Sequence, residues 1–165
     1  MGYTHYWYRP LELPRDKWSA FLSDWTKVYD ALIFRGIVLI GSAERLDDPP
    51  VMNRWMVAFN GDPAYEDFLL ARTYESPHRM KEDGRCFSFC KTQMLPYDLS
   101  VTSCLLVAKH HFGDLLIVGS DGDDSGWQAA RELCEGVLGY GRAFHIADDP
   151  GTHNRVLIEC RAPHA

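Results

Sequence analysis

The sequence lacks the motifs by which many small enzymes are recognised. It contains no Walker A loop, no GxGxxG fingerprint, no HExxH zinc motif and no GxSxG nucleophile elbow. The segment GYGRAF at 139–144 lacks the third glycine of a dinucleotide fingerprint. These absences leave the function to be argued from less specific groups of residues.

Long apolar runs and a basic charge balance are also missing. The longest aliphatic runs, such as Ile37–Ile40, have four residues and are far shorter than the roughly 20 residues of a membrane-spanning helix, so we predict no membrane association. The net charge of -6 argues against general nucleic-acid binding, which requires a basic face. The first ten residues lack the apolar core of a signal peptide, and the five cysteines show no disulfide spacing. We therefore expect reduced thiols and a cytoplasmic protein.

What the sequence does contain is helical periodicity in three places. A stripe of apolar side chains from Trp18 to Leu32 predicts a first helix that ends at Gly36. Pro96 and Asp98 open a second helix of about 13 residues. A third is predicted from Gly126 to Leu138, with Ser125 as its N-cap.

Strand-like segments fill most of the remaining chain. They lie at 3–9, 37–40, 54–62, 66–72, 86–90, 114–120, 143–147 and 155–160. In the first strand, alternation places His5, Trp7 and Arg9 on one face. Hairpin-length connections in the middle of the chain predict an α+β fold, a mainly antiparallel sheet with about three helices packed on it, forming a single domain over residues 1–165.

The first candidate site lies where a strand gives way to the second helix, and comprises Cys90, Lys91, Thr92, Tyr97 and Asp98. A cysteine near a lysine and a helix start can have a lowered pKa and act as a nucleophile. His110 or His111 would then be the base, and Asp98 would orient it. The alternative interpretation is that Cys90 is a small buried hydrophobic residue and Asp98 a helix cap.

A second candidate is the acidic turn of Ser120, Asp121, Asp123 and Asp124 after the most apolar strand. Such turns can bind a metal or the hydroxyls of a ribose, although a solvated turn is the simpler interpretation. The distal glutamate of a calcium loop is missing. The spacing of Cys86, Cys90, His110 and His111 is not that of a standard zinc site. We predict neither a metal nor a cofactor.

Polar residues follow several apolar strands, in FNGD, FCKT and VGSDGD. If these strand ends meet, they form one pocket beside the aromatic first strand. The residues predicted to bind a ligand there are His5, Trp7, Asn60, Lys91, Thr92, Tyr97, Asp98, Ser120, Asp121 and Asp123.

Five motifs extend over most of the chain: GYTHYW at 2–7, AFNG at 58–61, FCKT at 89–92, PYD at 96–98 and SDGD at 120–123. Together they resemble a family of short bacterial and phage proteins of uncharacterised function. Members often read FCKTARKPYD where this chain has FCKTQMLPYD, so Met94 and Leu95 replace a basic pair. The resemblance implies no activity and no cofactor, but it implies a phage or prophage setting and a role in conflict between phage and host.

Three functions follow as hypotheses. The first is a phage-type accessory protein that binds a small anionic or nucleotide-like ligand or blocks a host factor. The second is a small enzyme that acts on a nucleotide-type substrate through Cys90 or the Asp121/Asp123 turn. The third is a structural homodimer with an interface of exposed aromatic side chains.

Overall fold

The architecture is that of a computed structural model, which describes residues 2–74, 80–152 and 154–160. These ranges contain nine strands and three α-helices. In chain order they are β1 (Thr4–Arg9), α1 (Arg15–Phe34), β2 (Leu39–Ile40), β3 (Val51–Met52), β4 (Met56–Gly61), β5 (Phe68–Ala71), β6 (Cys86–Lys91), α2 (Asp98–Phe112), β7 (Ile117–Ser120), α3 (Gln128–Leu138), β8 (Phe144–Asp148) and β9 (Arg155–Glu159). Short 3₁₀ turns precede β7 and α3.

The strands form two antiparallel sheets. The first has the order β6-β1-β7-β9-β8, and in the second β4 pairs with β2, β3 and β5. The prediction of an antiparallel α+β fold with three helices is confirmed. The division into two sheets was not predicted, because strand segments of similar pattern carry no mark of which sheet they join.

The helices form a layer in which α1 and α3 both pack against α2, and α2 also contacts β7 and β9. The predicted stripe of α1 is buried at Trp18, Phe21, Trp25, Val28 and Leu32. In α2 every residue from Ser100 to Ala108 is buried, including polar ones. A helix surrounded by other elements has no solvent face, so its amphipathic period is weak.

Two local predictions need correction. β3 lies between the predicted strands at 37–40 and 54–62, where no strand was predicted. The Asn53 side chain accepts hydrogen bonds from the backbone N–H groups of Trp55 and Met56, and the resulting turn lets β3 pair with β4. Ser125 does not cap α3 but lies in the preceding 3₁₀ turn, and its hydroxyl donates to Asp123.

Arg9 joins the two sheets. It is the last residue of β1 and is only 1% exposed. Its guanidinium donates to the carbonyl oxygens of Ala71, the last residue of β5 in the second sheet, and of Arg72. It also bonds the carbonyl oxygens of Pro10 and Leu11. Burial lowers the pKa of Arg9 to about 10, so the group stays charged at neutral pH.

We predict that Arg9→Gln lowers the free energy of unfolding by about 3 kcal/mol or more, because buried carbonyl oxygens lose their donors. Urea denaturation measures the loss. Arg142→Gln is the control: its side chain is exposed and has no ion pair among the described residues, so the change stays within about 0.5 kcal/mol. Equal stability of the two variants would contradict the role given to Arg9.

Candidate functional site

Four of the predicted site residues come together at the core side of β1. His5 stands between Cys90 of β6 and Ser120 of β7 in the sheet. Its Nε2 lies 2.7 Å from Asp98 Oδ1, and its Nδ1 lies 2.9 Å from Ser120 Oγ. Thr92 donates its hydroxyl to the same Asp98 oxygen. The cluster therefore links β1, β7 and the start of α2.

Ser120, His5 and Asp98 are linked in the order of a hydrolase triad, but the imidazole is reversed, with Nδ1 rather than Nε2 facing the serine. The serine hydroxyl is also already engaged. Its oxygen accepts the backbone N–H of Gly122 at 2.9 Å and the indole N–H of Trp127 at 3.1 Å. With both lone pairs used, the hydroxyl proton goes to His5 Nδ1, which leaves Nε2–H to donate to Asp98. His5 is 0% and Ser120 3% exposed, so the described conformation gives no substrate access to this oxygen.

The two predicted aspartates of the acidic turn lie at the surface. Asp121 accepts the backbone N–H of Thr4 at 3.0 Å. Asp123 accepts from Ser125 and from the backbone of Gly126, and these two hydrogen bonds lower its pKa. Both carboxylates therefore order the turn that leads into α3.

Asn60, Lys91 and Tyr97 lie together where the sheets meet at the other end from Arg9. The Lys91 backbone N–H donates to Glu66 Oε2 at 2.7 Å, and the Tyr97 hydroxyl donates to the Glu66 carbonyl oxygen at 2.8 Å. Asn60 Nδ2 donates to Asp67 at 2.7 Å. Burial raises the pKa of Tyr97. These bonds close the seam between β6 and the segment before β5.

The expectation of a lowered pKa at Cys90 is wrong. Its side chain is fully buried, and burial together with the charge of Glu66 raises its pKa to about 12. The thiol lies 3.5 Å from the Glu66 carbonyl oxygen as a weak donor. A buried thiol of this kind holds its proton at neutral pH and is a poor nucleophile.

His110, the predicted base, has other partners. It stacks on Tyr140 with ring centroids 3.7 Å apart and approaches Glu159 at 3.3 Å. Its neighbour His111 lies 2.8 Å from Asp24, which also accepts the Tyr140 hydroxyl. Burial alone would raise the pKa of Asp24, but these two hydrogen bonds outweigh it and lower the pKa. The two histidines of α2 thus connect this helix to α1 through Asp24 and to the end of α3 through Tyr140.

A cavity of about 990 Å³ lies between the two sheets. Trp7, Arg9, Ser88 and Phe89 line it from the first sheet; Trp55, Met56, Glu66, Asp67, Leu69, Ala71, Thr73 and Tyr74 line it from the second sheet and its flanking segments. Trp7 is the predicted ligand-binding residue that the cavity includes. The Glu66–Lys91 seam and the hydrogen bonds of Arg9 lie where the two sheets are joined.

The cavity wall contains one orphan donor. Trp7 is 1% exposed, and its indole N–H has no acceptor among the described residues. A buried N–H without a partner is costly, since it has lost its hydrogen bond to water. The guanidinium of Arg9 differs, because its donors are largely taken by backbone carbonyl oxygens.

Trp55 separates this cavity from a smaller one of about 150 Å³, which is lined by Arg15, Trp18, Ser19, Arg54, Trp55 and Arg72. The indole is 48% exposed and contributes to both walls. The smaller cavity could not be recognised in the sequence, because its lining residues come from three distant segments. An arginine and an aromatic residue side by side, at Arg54 and Trp55, were the one local signal.

Comparison with models of protein families, with curated proteins and with solved structures gives no match to this chain. The resemblance to short phage and bacterial proteins therefore stays a prediction from motifs. Among residues 2–74, 80–152 and 154–160, no three His, Cys, Asp or Glu side chains are arranged to hold a metal ion. In the same ranges no helix combines the length and hydrophobicity needed to cross a membrane.

We predict that Ser120→Ala destabilises the protein by about 1–3 kcal/mol, because the N–H groups of Gly122 and Trp127 lose a common acceptor. Ser23→Ala, at an exposed position of α1, is the control and changes the stability by about 0.5 kcal/mol or less. Urea denaturation compares the two. An unchanged stability of Ser120→Ala would show that its hydroxyl does not hold the cluster together.

We also predict that one thiol reacts rapidly with iodoacetamide in the native protein at pH 7.5, and that it is Cys160. This cysteine is exposed, whereas Cys86, Cys90, Cys104 and Cys134 are buried. Cys160→Ser should abolish the fast phase, as read by mass spectrometry. A fast phase that persists in this variant and maps to Cys90 would instead support the enzyme hypothesis.

Proposed function

We propose that the chain is a binding protein that holds a small, planar, nucleotide-like ligand in the cavity between its two sheets. The observation that carries the proposal is the wall of this cavity, which is largely aromatic and aliphatic and includes Trp7, a buried residue whose indole N–H has no acceptor among the described residues. Ligand sites in proteins are concave and mostly apolar, with a few polar groups that fix orientation. The volume falls within their usual range of about 300–1,000 Å³.

The aromatic walls favour a flat ligand. Trp55 and Tyr74 present rings from the second sheet and its edge, and Phe89 presents one from β6. Aromatic side chains bind flat heterocycles by stacking, and they do so with any base because every base has a π-face.

Binding accounts for the polar groups better than catalysis does. The thiol of Cys90 is protonated and buried, and the hydroxyl of Ser120 is fully bonded. Glu66 and Asp67 line the cavity, but their carboxylates accept hydrogen bonds from Lys91 and Asn60. A small enzyme acting through Cys90 or the Asp121/Asp123 turn is therefore the less supported alternative.

The phage or prophage setting, a host-protein target and self-association rest on the motif resemblance and the abundance of aromatic residues. All described contacts lie within one chain. These three hypotheses stay predictions and add nothing to the argument for the cavity.

Nucleosides, nucleoside monophosphates and cyclic nucleotides should be tested in a thermal unfolding assay. A ligand at a hundred times its Kd stabilises the folded state by about 2.7 kcal/mol. For a chain of this length, that raises Tm by about 5–10 °C. Isothermal titration calorimetry then gives the affinity and stoichiometry of any compound that stabilises the protein.

Leu69→Trp is the variant that tests whether the ligand occupies the larger cavity. Leu69 lines the cavity and is 50% exposed, so a larger side chain fills the space without overpacking the core. It should abolish the ligand-induced shift while the Tm without ligand stays close to that of the wild type. Ile158→Trp, at a 39% exposed position of β9, is the control and should bind normally. The proposal fails if no compound stabilises the wild type, or if Leu69→Trp binds as well as the control.

A further inference from the structure

The smaller cavity beside Trp55 is lined by three arginines. Arg15 is the first residue of α1, Arg54 precedes β4, and Arg72 follows β5. The hydroxyl-bearing residue Ser19 lies one turn along α1 on the same wall. The space of about 150 Å³ suits one compact anion rather than a whole organic ligand.

The positive charge at this cavity is only partly neutralised within the protein. Arg72 pairs with Glu12 at 2.7 Å. Arg15 and Arg54, in contrast, have no carboxylate within ion-pair distance in the described part of the chain. Two exposed arginines without an ion pair among the described residues therefore line one small space, in a chain with a net charge of -6.

Trp55 helps to hold the side chains of Arg54 and Arg72 in place. The guanidinium carbon of Arg54 lies 4.7 Å from the centroid of the indole, and that of Arg72 lies 5.8 Å from it. Arg72 itself is only 5% exposed and also approaches the Leu13 carbonyl oxygen. Stacking orients the guanidinium of Arg54 and burial fixes that of Arg72, so both lose less conformational freedom on binding an oxyanion than free side chains would.

We propose that this cavity is a phosphate site, and that the ligand of the larger cavity is a nucleoside phosphate whose base and phosphate lie on opposite sides of Trp55. Guanidinium groups bind phosphate through paired, charge-assisted hydrogen bonds. The positive end of α1, which begins at Arg15, adds to the same field. The placement of the base rests on the proposed function, whereas the phosphate site rests on its own arginines.

Inorganic phosphate is the first probe, titrated calorimetrically against sodium chloride of the same ionic strength. Arg15→Gln and Arg54→Gln should each weaken phosphate binding about tenfold or more, the loss expected for one charge-assisted hydrogen bond. Arg72 is left intact because it is buried and paired with Glu12.

Arg35→Gln is the matched control. It removes the same charge from the exposed C-terminal cap of the same helix, about 30 Å away along 20 residues of α1, and should leave phosphate affinity unchanged. Phosphate that binds no better than chloride, or variants at Arg15 and Arg54 that bind like the control, would overturn the phosphate site.

Comparing the binding of a nucleoside with that of its monophosphate distinguishes the phosphate site from the proposed function. If both hold, a nucleoside binds weakly, its monophosphate binds about tenfold or more tightly, and Arg54→Gln abolishes the difference. If a nucleoside and its monophosphate bind equally and Leu69→Trp blocks both, the larger cavity binds the base and the phosphate site is wrong. If phosphate alone binds and Leu69→Trp has no effect, the phosphate site holds and the base-binding proposal is wrong.

Discussion

The structure depends on a buried arginine that bonds to backbone carbonyl oxygens rather than to a carboxylate. Arg9 ends β1 and reaches the carbonyl oxygens of Ala71 and Arg72 at the end of β5. A guanidinium is suited to this role because its five N–H groups fan out in one plane and accept nothing in return. The two sheets are therefore fixed together at one end without side-chain packing across the whole space between them.

The other end is held by a seam of backbone and tyrosine hydrogen bonds around Glu66, Lys91 and Tyr97. Gly61 allows the close approach there, since a Cβ atom at this position would come within 2.6 Å of Tyr97. Between these two junctions, Trp7 of β1 packs on Phe68 of β5 with ring centroids 5.2 Å apart. The cavity between the sheets is lined in part by residues of edge strands, such as Leu69 and Ser88.

Local periodicity predicted the helices well, because the stripe from Trp18 to Leu32 repeats at 3.6 residues and is buried as a unit. The strand alternation of β1 likewise predicted that His5, Trp7 and Arg9 share one face, and the structure buries that face. The cavity could not be predicted in this way. Its wall brings together residues far apart in the chain, such as Arg9 and Ala71, and no local pattern marks that pairing. Arg15, Arg54 and Arg72 are likewise separate in sequence, where each resembles an ordinary solvated arginine.

Trp55 links the two spaces because one side chain forms part of both walls. An occupant of either space contacts the same indole and limits its remaining motion. Restriction by a group on one face leaves the indole already ordered for a group on the other. A molecule that reaches both faces meets this entropic cost only once, so its affinity exceeds what its separate fragments would suggest, with no contact added.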